Sequence, residues 1–215
     1  MTGPARIPCI YVLAGVNGAG KSSIIGEMLI RQGAAYFNPD EAARRIQIVN
    51  PGISQTRANS EAWQQGVRLL KRAIDERLNF AFETTLGGKT ISGLLESAAI
   101  SGIQIRIWFI GLMSPQLHIS RVRSRVRRGG HAIPEERIRA RYDQSRLNLI
   151  RLLPNLTELR IFDNSKEADP HEGKAPAMMP LLHLADRKII HCCRLDETPE
   201  WAKPILMAAM KLKAR

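Results

Sequence analysis

At 215 residues, with 44% hydrophobic and 24% charged side chains, the chain has the length for one well-buried domain and the composition of a soluble globular protein. No stretch supplies the ~18 consecutive apolar residues of a membrane span, and Cys9, Cys192 and Cys193 form neither an even disulfide framework nor a CxxC metal pair, which points to a reducing cytoplasm. The net charge of +12 is concentrated: between Arg121 and Arg151 ten arginines stand against three acidic residues, a field suited to phosphates and other anions.

Residues 8–14 are a short β-branched and aromatic run closed by glycine, which predicts a buried first strand rather than a secretory segment, since a lysine-bearing glycine loop follows where a cleavage site would stand. Ile24, Ile25, Met28 and Leu29 are spaced for a helix over 21–32. A second strand over 34–37 ends at "NPD", where Pro39 is placed to open a helix running towards Pro51. Trp63, Val67, Leu70, Ile74 and Leu78 recur at helical spacing and predict a longer helix over 54–78. The strand "FAFE" follows, then a helix over 89–101 closed by Gly102, then the strand "IQIRIWFIGL".

Ser114 opens a helix into the arginine-rich region, "GGHAIP" breaks it, and a second helix is expected over 134–153. "LTELRIFDNS" reads as a fifth strand and 166–180 as an exposed connection. The remaining residues predict a hairpin and a terminal helix on which Trp201 and the stretch from Met207 to Met210 face the core. The alternation predicts an α/β fold, a mostly parallel sheet with helices on both faces. The expected organisation is one domain over 1–215: a core of about 7–165, a lid at about 118–150, and a hairpin and helix at about 181–213 packed on the core. His191, Cys192 and Cys193 sit in an apolar strand pattern and read as structural.

The segment from Gly15 to Ser22, "GVNGAGKS", fits G-x-x-x-x-G-K-[ST] after a strand and before a helix. Glycine backbones let successive N–H groups turn inward onto phosphate oxygens, with the helix dipole behind them. Gly15, Asn17, Gly18, Ala19, Gly20, Lys21, Ser22 and Ser23 are therefore the expected nucleotide site. Lys21 would reach the β- and γ-phosphates of ATP, and the Ser22 hydroxyl would take Mg²⁺. Guanine-recognition, transporter-ATPase and AAA+ patterns are absent from the sequence, which leaves a small phosphotransferase.

Ligands of such sheets bind beyond the carboxyl ends of the strands. Asp40 would stand at the second of these, as acceptor for the proton of an attacking hydroxyl or as a first-turn complement to the helix dipole. Glu83 stands at the mouth of the third strand, placed to hold Mg²⁺ through water or to grip the acceptor hydroxyl, with Thr84 and Thr85 adding donors beside it. Arg121, Arg125 and Arg128 share one helical face, and Arg137, Arg141, Ser145 and Asn148 share another. Joined by a glycine hinge, the two faces read as a closing lid, with Arg125 and Arg141 its contacts to the transferring group. Arg123, Arg127, Arg139 and Arg151 read as solvated.

In order along the chain, "AGVNGAGKSS", "FNPDEAAR", "FAFETTLGG", "RVRRGGHAIPEERIRARYDQSRLNL" and "FDNS" resemble the zeta toxin-like P-loop kinases over roughly 7–165. The resemblance implies an ATP-dependent kinase whose best-described members phosphorylate a sugar hydroxyl of UDP-N-acetylglucosamine and are restrained by an antitoxin. It implies phosphate and Mg²⁺ roles for Lys21 and Ser22, the base role for Asp40, a substrate-site role for Glu83, a phosphate clamp from the lid arginines, and a place near the adenine for Asn164. At His131 the chain departs from the family, which carries a phosphate-contacting arginine there. The acceptor expected from the sequence is a small anionic metabolite. A polynucleotide 5′-hydroxyl kinase and a nucleotide-gated interaction protein remain alternatives, although only 5% aromatic residues weaken a base-stacking groove.

Overall fold

The computed structural model describes residues 7–21, 35–166 and 178–212. The predicted helix over 21–32, with Ser22 and Ser23, and most of the connection over 166–180 lie outside the described residues.

Among the described residues, seven strands form one sheet. In chain order β1 is Cys9–Ala14, β2 Ala35–Phe37, β3 Phe80–Thr84, β4 Gln104–Gly111, β5 Glu158–Asp163, β6 Met179–Ala185 and β7 Lys188–Cys192. Their spatial order is β2-β3-β1-β4-β5-β6-β7. The first five are parallel, and β6 and β7 continue the sheet antiparallel. β1 lies between β3 and β4, and both of its faces are covered as well: "CIYVLA" is buried at all six positions. A parallel strand covered on both sides needs such a continuous apolar run. Ile10 and Val12 face a large core with Ile105, Ile107, Phe109 and Leu159. Cys9, Tyr11 and Leu13 face a smaller one with Trp108 and Ile110.

The helices are α1 Pro39–Val49, α2 Gln55–Asp75, α3 Lys89–Ile100, α4 Pro115–Arg127, α5 Glu135–Leu152 and α6 Lys203–Met210. Their starts follow the capping chemistry legible in the sequence: the side chains of Asn38, Ser54 and Ser114 accept hydrogen bonds from first-turn N–H groups of α1, α2 and α4. α2 ends three residues short of Leu78, which lies beyond it and is exposed. None of the described helices is long and apolar enough to cross a membrane.

One expectation is corrected, at the C-terminal end. Trp201 is buried as expected, but Met207 and Met210 are 51% and 46% exposed; Ile205, Leu206 and Ala209 make the buried face of α6. The apolar stretch over 205–210 has no polar position to mark its outer face, so periodicity could not orient it. The arginine-rich segment is packed at both ends. His118, Ile119 and Val122 at one end, and Ser145, Asn148 and Leu149 at the other, are buried. Ser145 and Asn148 therefore belong to the core side of α5, with Asn148 Nδ2 donating to the carbonyls of Leu86 at 2.8 Å and Gly88 at 3.3 Å.

Candidate active site

The glycine loop leaves the C-terminal end of β1 and is tied to its neighbours by backbone and side-chain bonds. Gly15 N–H donates to the Thr84 carbonyl at 3.2 Å, and Asn164 Nδ2, just past β5, donates to the Ala19 carbonyl at 2.9 Å. Gly15 has φ +142° and a Cβ there would lie 2.3 Å from the Ile110 carbonyl oxygen. Gly18 has φ +86°, and a Cβ would lie 2.7 Å from the backbone oxygen of His118. Both clashes are with backbone, which has nowhere to move. Gly18→Ala is expected to cost about 1–3 kcal/mol from the backbone conformation alone and to weaken nucleotide binding by displacing the loop. Thermal melts with and without ADP would check this; an alanine variant with unchanged melting temperature and nucleotide response would contradict it.

Lys21 lies folded against the loop. Its Nζ donates to the Gly15 carbonyl at 2.6 Å and stands 3.5 Å from Glu83 Oε1, both side chains being buried. Glu83 is held in turn by Tyr36 Oη, donating at 3.3 Å, and by Asn38 Nδ2, donating at 3.2 Å. Burial and the neighbouring carboxylate raise the Tyr36 phenol above its usual pKa, so it remains a donor. Asn38 serves twice, because its Oδ1 accepts from Asp40 N at 2.9 Å and so caps α1. One amide thus fixes the start of the helix that carries Asp40 and also Glu83 at the end of β3.

The Asp40 carboxylate is one-third exposed, with Arg125 Nη1 at 3.5 Å and His131 Nε2 at 3.8 Å. Burial lowers the His131 pKa despite the upward pull of Asp40, so the imidazole is neutral near pH 7. Arg125 Nη2 also donates to the His131 carbonyl at 3.4 Å, which ties the end of α4 to the loop before α5. Arg141 Nη1 donates to Asn17 Oδ1 at 2.8 Å. It passes over Gly87, where a Cβ would lie 2.8 Å from its Cγ. Thr84 and Thr85 accept from the N–H groups of Leu86 and Gly87 at 3.1 and 3.4 Å.

These groups meet around a cavity of about 430 Å³. Its lining includes the polar groups Asn17, Asp40, Glu83, Thr84, Thr85 and Arg141 and the apolar groups Phe37, Trp63, Val67, Phe82 and Ile91, with His131 and Arg137. Trp63, one of the residues whose helical spacing predicts α2, is 49% exposed and lines the cavity. Of the arginines expected to be solvated, Arg123, Arg127, Arg139 and Arg151 are exposed, and Arg123 pairs with Glu135.

His118 was not legible as a site residue, because a lone histidine within a helix carries no spacing signal. It is 1% exposed, and its Nδ1 lies 2.9 Å from the Asn17 carbonyl oxygen. Burial takes its pKa down to about 4, the Asn17 bond opposing that shift. A histidine whose folded pKa is lowered binds fewer protons folded than unfolded, so its stabilisation is complete above pH ~6.5. It is lost as the pH falls towards about 4. The melting temperature should therefore decline between those two values, and the decline should flatten in His118→Asn. An equal decline in both proteins would contradict this.

A family model for zeta toxin matches residues 2–174. The chain belongs to the zeta toxin family. A protein of Haemophilus influenzae described only as uncharacterized is 29% identical over 130 residues, covering 60% of this chain and 88% of that protein. The AvrRxo1-ORF1:AvrRxo1-ORF2 complex, solved with sulphate ions and with ATP, is similar in fold at TM-scores of 0.66 and 0.65 and 14% identity. This chain is covered to 98% in both comparisons and spans 66% of that longer chain. A structure from the PezAT chromosomal toxin-antitoxin system of Streptococcus pneumoniae is similar at a TM-score of 0.56 and 17% identity, covering 82% of this chain and 76% of that one. Family membership makes this chain a P-loop kinase.

Proposed function

We propose that this zeta toxin family member uses ATP to phosphorylate a hydroxyl of a small anionic metabolite, with Asp40 as general base. The observation that carries the reading is the single cavity lined by Asp40, by Glu83 and by Asn17 of the glycine loop. An acceptor bound there has its hydroxyl between a carboxylate and the phosphate loop, as in-line transfer requires.

The residues present fit a nucleotide. Positive φ angles at Gly15, Gly18 and Gly20 curl the loop, and two of these glycines sit where a Cβ would strike backbone. Lys21 supplies the cation at the loop's end, and Ser22, the expected Mg²⁺ ligand, lies outside the described residues. When bound, ATP supplies the phosphoryl group and Mg²⁺ offsets the charge of its oxygens.

The chain's own residues do the rest. Asp40 accepts the acceptor's proton. Arg125, now paired with Asp40, and Arg141, now on Asn17, are the groups within reach to neutralise the transferring phosphoryl group. In this reading the exposed segment between the two buried ends of the arginine region is the lid. Glu83 orients the acceptor and holds Lys21, Thr84 and Thr85 offer hydroxyl hydrogens to it, and Asn164 braces the loop on the nucleoside side. Arg137, which lines the cavity, favours an anionic acceptor, while the neutral His131 adds no positive charge there. A protein partner acting as antitoxin is proposed from the family and from the two-component systems of the fold relatives.

The test is mass spectrometry of a metabolite extract, together with UDP-N-acetyl sugars, incubated with ATP, Mg²⁺ and either wild type or Asp40→Asn. A phosphorylated small molecule made only by the wild type supports the proposal. ATP hydrolysis without any such product would overturn it in favour of a nucleotide switch.

A further inference from the structure

The middle of the glycine loop is a β-turn. Ala19 N–H donates to the Val16 carbonyl at 3.1 Å, which makes Asn17 and Gly18 its two central residues. Gly18 at φ +86° matches the third position of a type II turn. Types I and II differ by a flip of the central peptide, here the one joining Asn17 and Gly18. Glycine accepts either sign of φ, so Gly18 leaves this peptide without a strong local preference. Something outside the loop has to choose.

The Asn17 carbonyl accepts from His118 Nδ1 at 2.9 Å. A carbonyl oxygen only accepts, so the ring carries its hydrogen on Nδ1. In a trans peptide C=O and N–H point in opposite directions, and no cis peptide occurs among the described residues. Holding the carbonyl towards α4 therefore turns the Gly18 N–H the other way, to the side opposite the histidine. The alternative flip would present a carbonyl oxygen to an incoming phosphate and repel it.

We infer that His118 is a positioning residue of the phosphate loop, whose Nδ1–H locks the Asn17–Gly18 peptide so that the Gly18 N–H is preset to donate to a nucleotide phosphate. The inference rests on the nucleotide-loop reading proposed above. The surroundings favour a rigid lock. His118 is buried, its ring meets Tyr142 edge-on at 5.7 Å between centroids, and its own backbone oxygen closes over Gly18. Asn17 is gripped from the second arginine-bearing helix as well, through Arg141, so both helices of the arginine region bear on this one residue of the loop.

The test compares ADP affinity by titration calorimetry with melting temperature for wild type, His118→Leu, His118→Asn and Ile138→Ala. Losing the donor in His118→Leu should weaken ADP by ~10-fold or more. His118→Asn, whose Nδ2 can take the place of Nδ1, should return to within ~3-fold of wild type. Ile138→Ala, a packing lesion in the apolar cluster that α5 makes with Ile119 and Val122 of α4, should lower the melting temperature and leave ADP affinity within ~3-fold of wild type. His118→Leu binding ADP like wild type, or His118→Asn as weak as His118→Leu, would overturn the inference. Should His118→Leu fail to fold, ¹⁵N NMR of the wild-type imidazoles decides: the Nδ1–H tautomer with and without ADP supports the lock, and the Nε2–H tautomer overturns it. A wild type that binds no ADP would overturn the nucleotide reading itself and this inference with it, an outcome distinct from a variant-specific result.

Discussion

Asp40→Asn is expected to lower turnover on the true acceptor by about 10²–10⁴-fold, the usual contribution of a positioned general base, while ADP and ATP still bind. The amide keeps the shape of the carboxylate and the capping bond from Asn38, which uses the backbone N–H of residue 40, so α1 should start where it does now. What it removes is the proton acceptor and the charge that faces Arg125 at 3.5 Å. Releasing Arg125 should leave nucleotide affinity equal or slightly tighter. Steady-state kinetics with calorimetric nucleotide binding would check both halves, and turnover within ~3-fold of wild type would remove Asp40 from the chemistry.

Lys21 carries the second large effect, and it separates catalysis from stability. Lys21→Met should abolish measurable transfer, because no other described ammonium stands at the end of the loop. It should also destabilise the fold, since removing one member of a buried ion pair strands the other. Glu83 would keep its neutral donors, Tyr36 and Asn38, but lose the ammonium, and the cost is expected at about 1.5–3 kcal/mol, the worth of a charged hydrogen bond. Adding Glu83→Gln to Lys21→Met removes the stranded charge. The double variant should recover most of the lost melting temperature and none of the activity. Equal melting temperatures for the single and double variants would show that the pair contributes no stability.

Much of the site could be read from the chain because its parts are local. "GVNGAGKS" carries its own backbone requirement, and Gly15 and Gly18 take up positive φ angles. "NPD" announces a capped helix start and delivers Asp40 to a strand end, while "FAFE" delivers Glu83. What could not be read depends on distant parts of the chain meeting. Trp63 keeps helical spacing with Val67 and Leu70, yet it faces a cavity because the groups opposite it, His131 and Arg137, belong to a segment about seventy residues away. The hold of Tyr36 on Glu83, and of His118 on Asn17, spans 47 and 101 residues respectively, and no local pattern encodes such pairs. The hairpin between β6 and β7 turns on Asp186 and Arg187, both at positive φ; Asn-Gly would have announced that turn, but here the paired strands impose it.

The assembled picture is a phosphate loop and a carboxylate facing one another across a single chamber, with arginines able to move from one to the other. A crystal structure with a nonhydrolysable ATP analogue and Mg²⁺ tests it most directly. The expected result is a triphosphate wrapped by residues 15–21, its terminal phosphate opening onto the cavity, with the Asp40 carboxylate on the cavity side of it and Arg125 turned to its oxygens. A triphosphate bound elsewhere, or a terminal phosphate with no open path to Asp40, would contradict it.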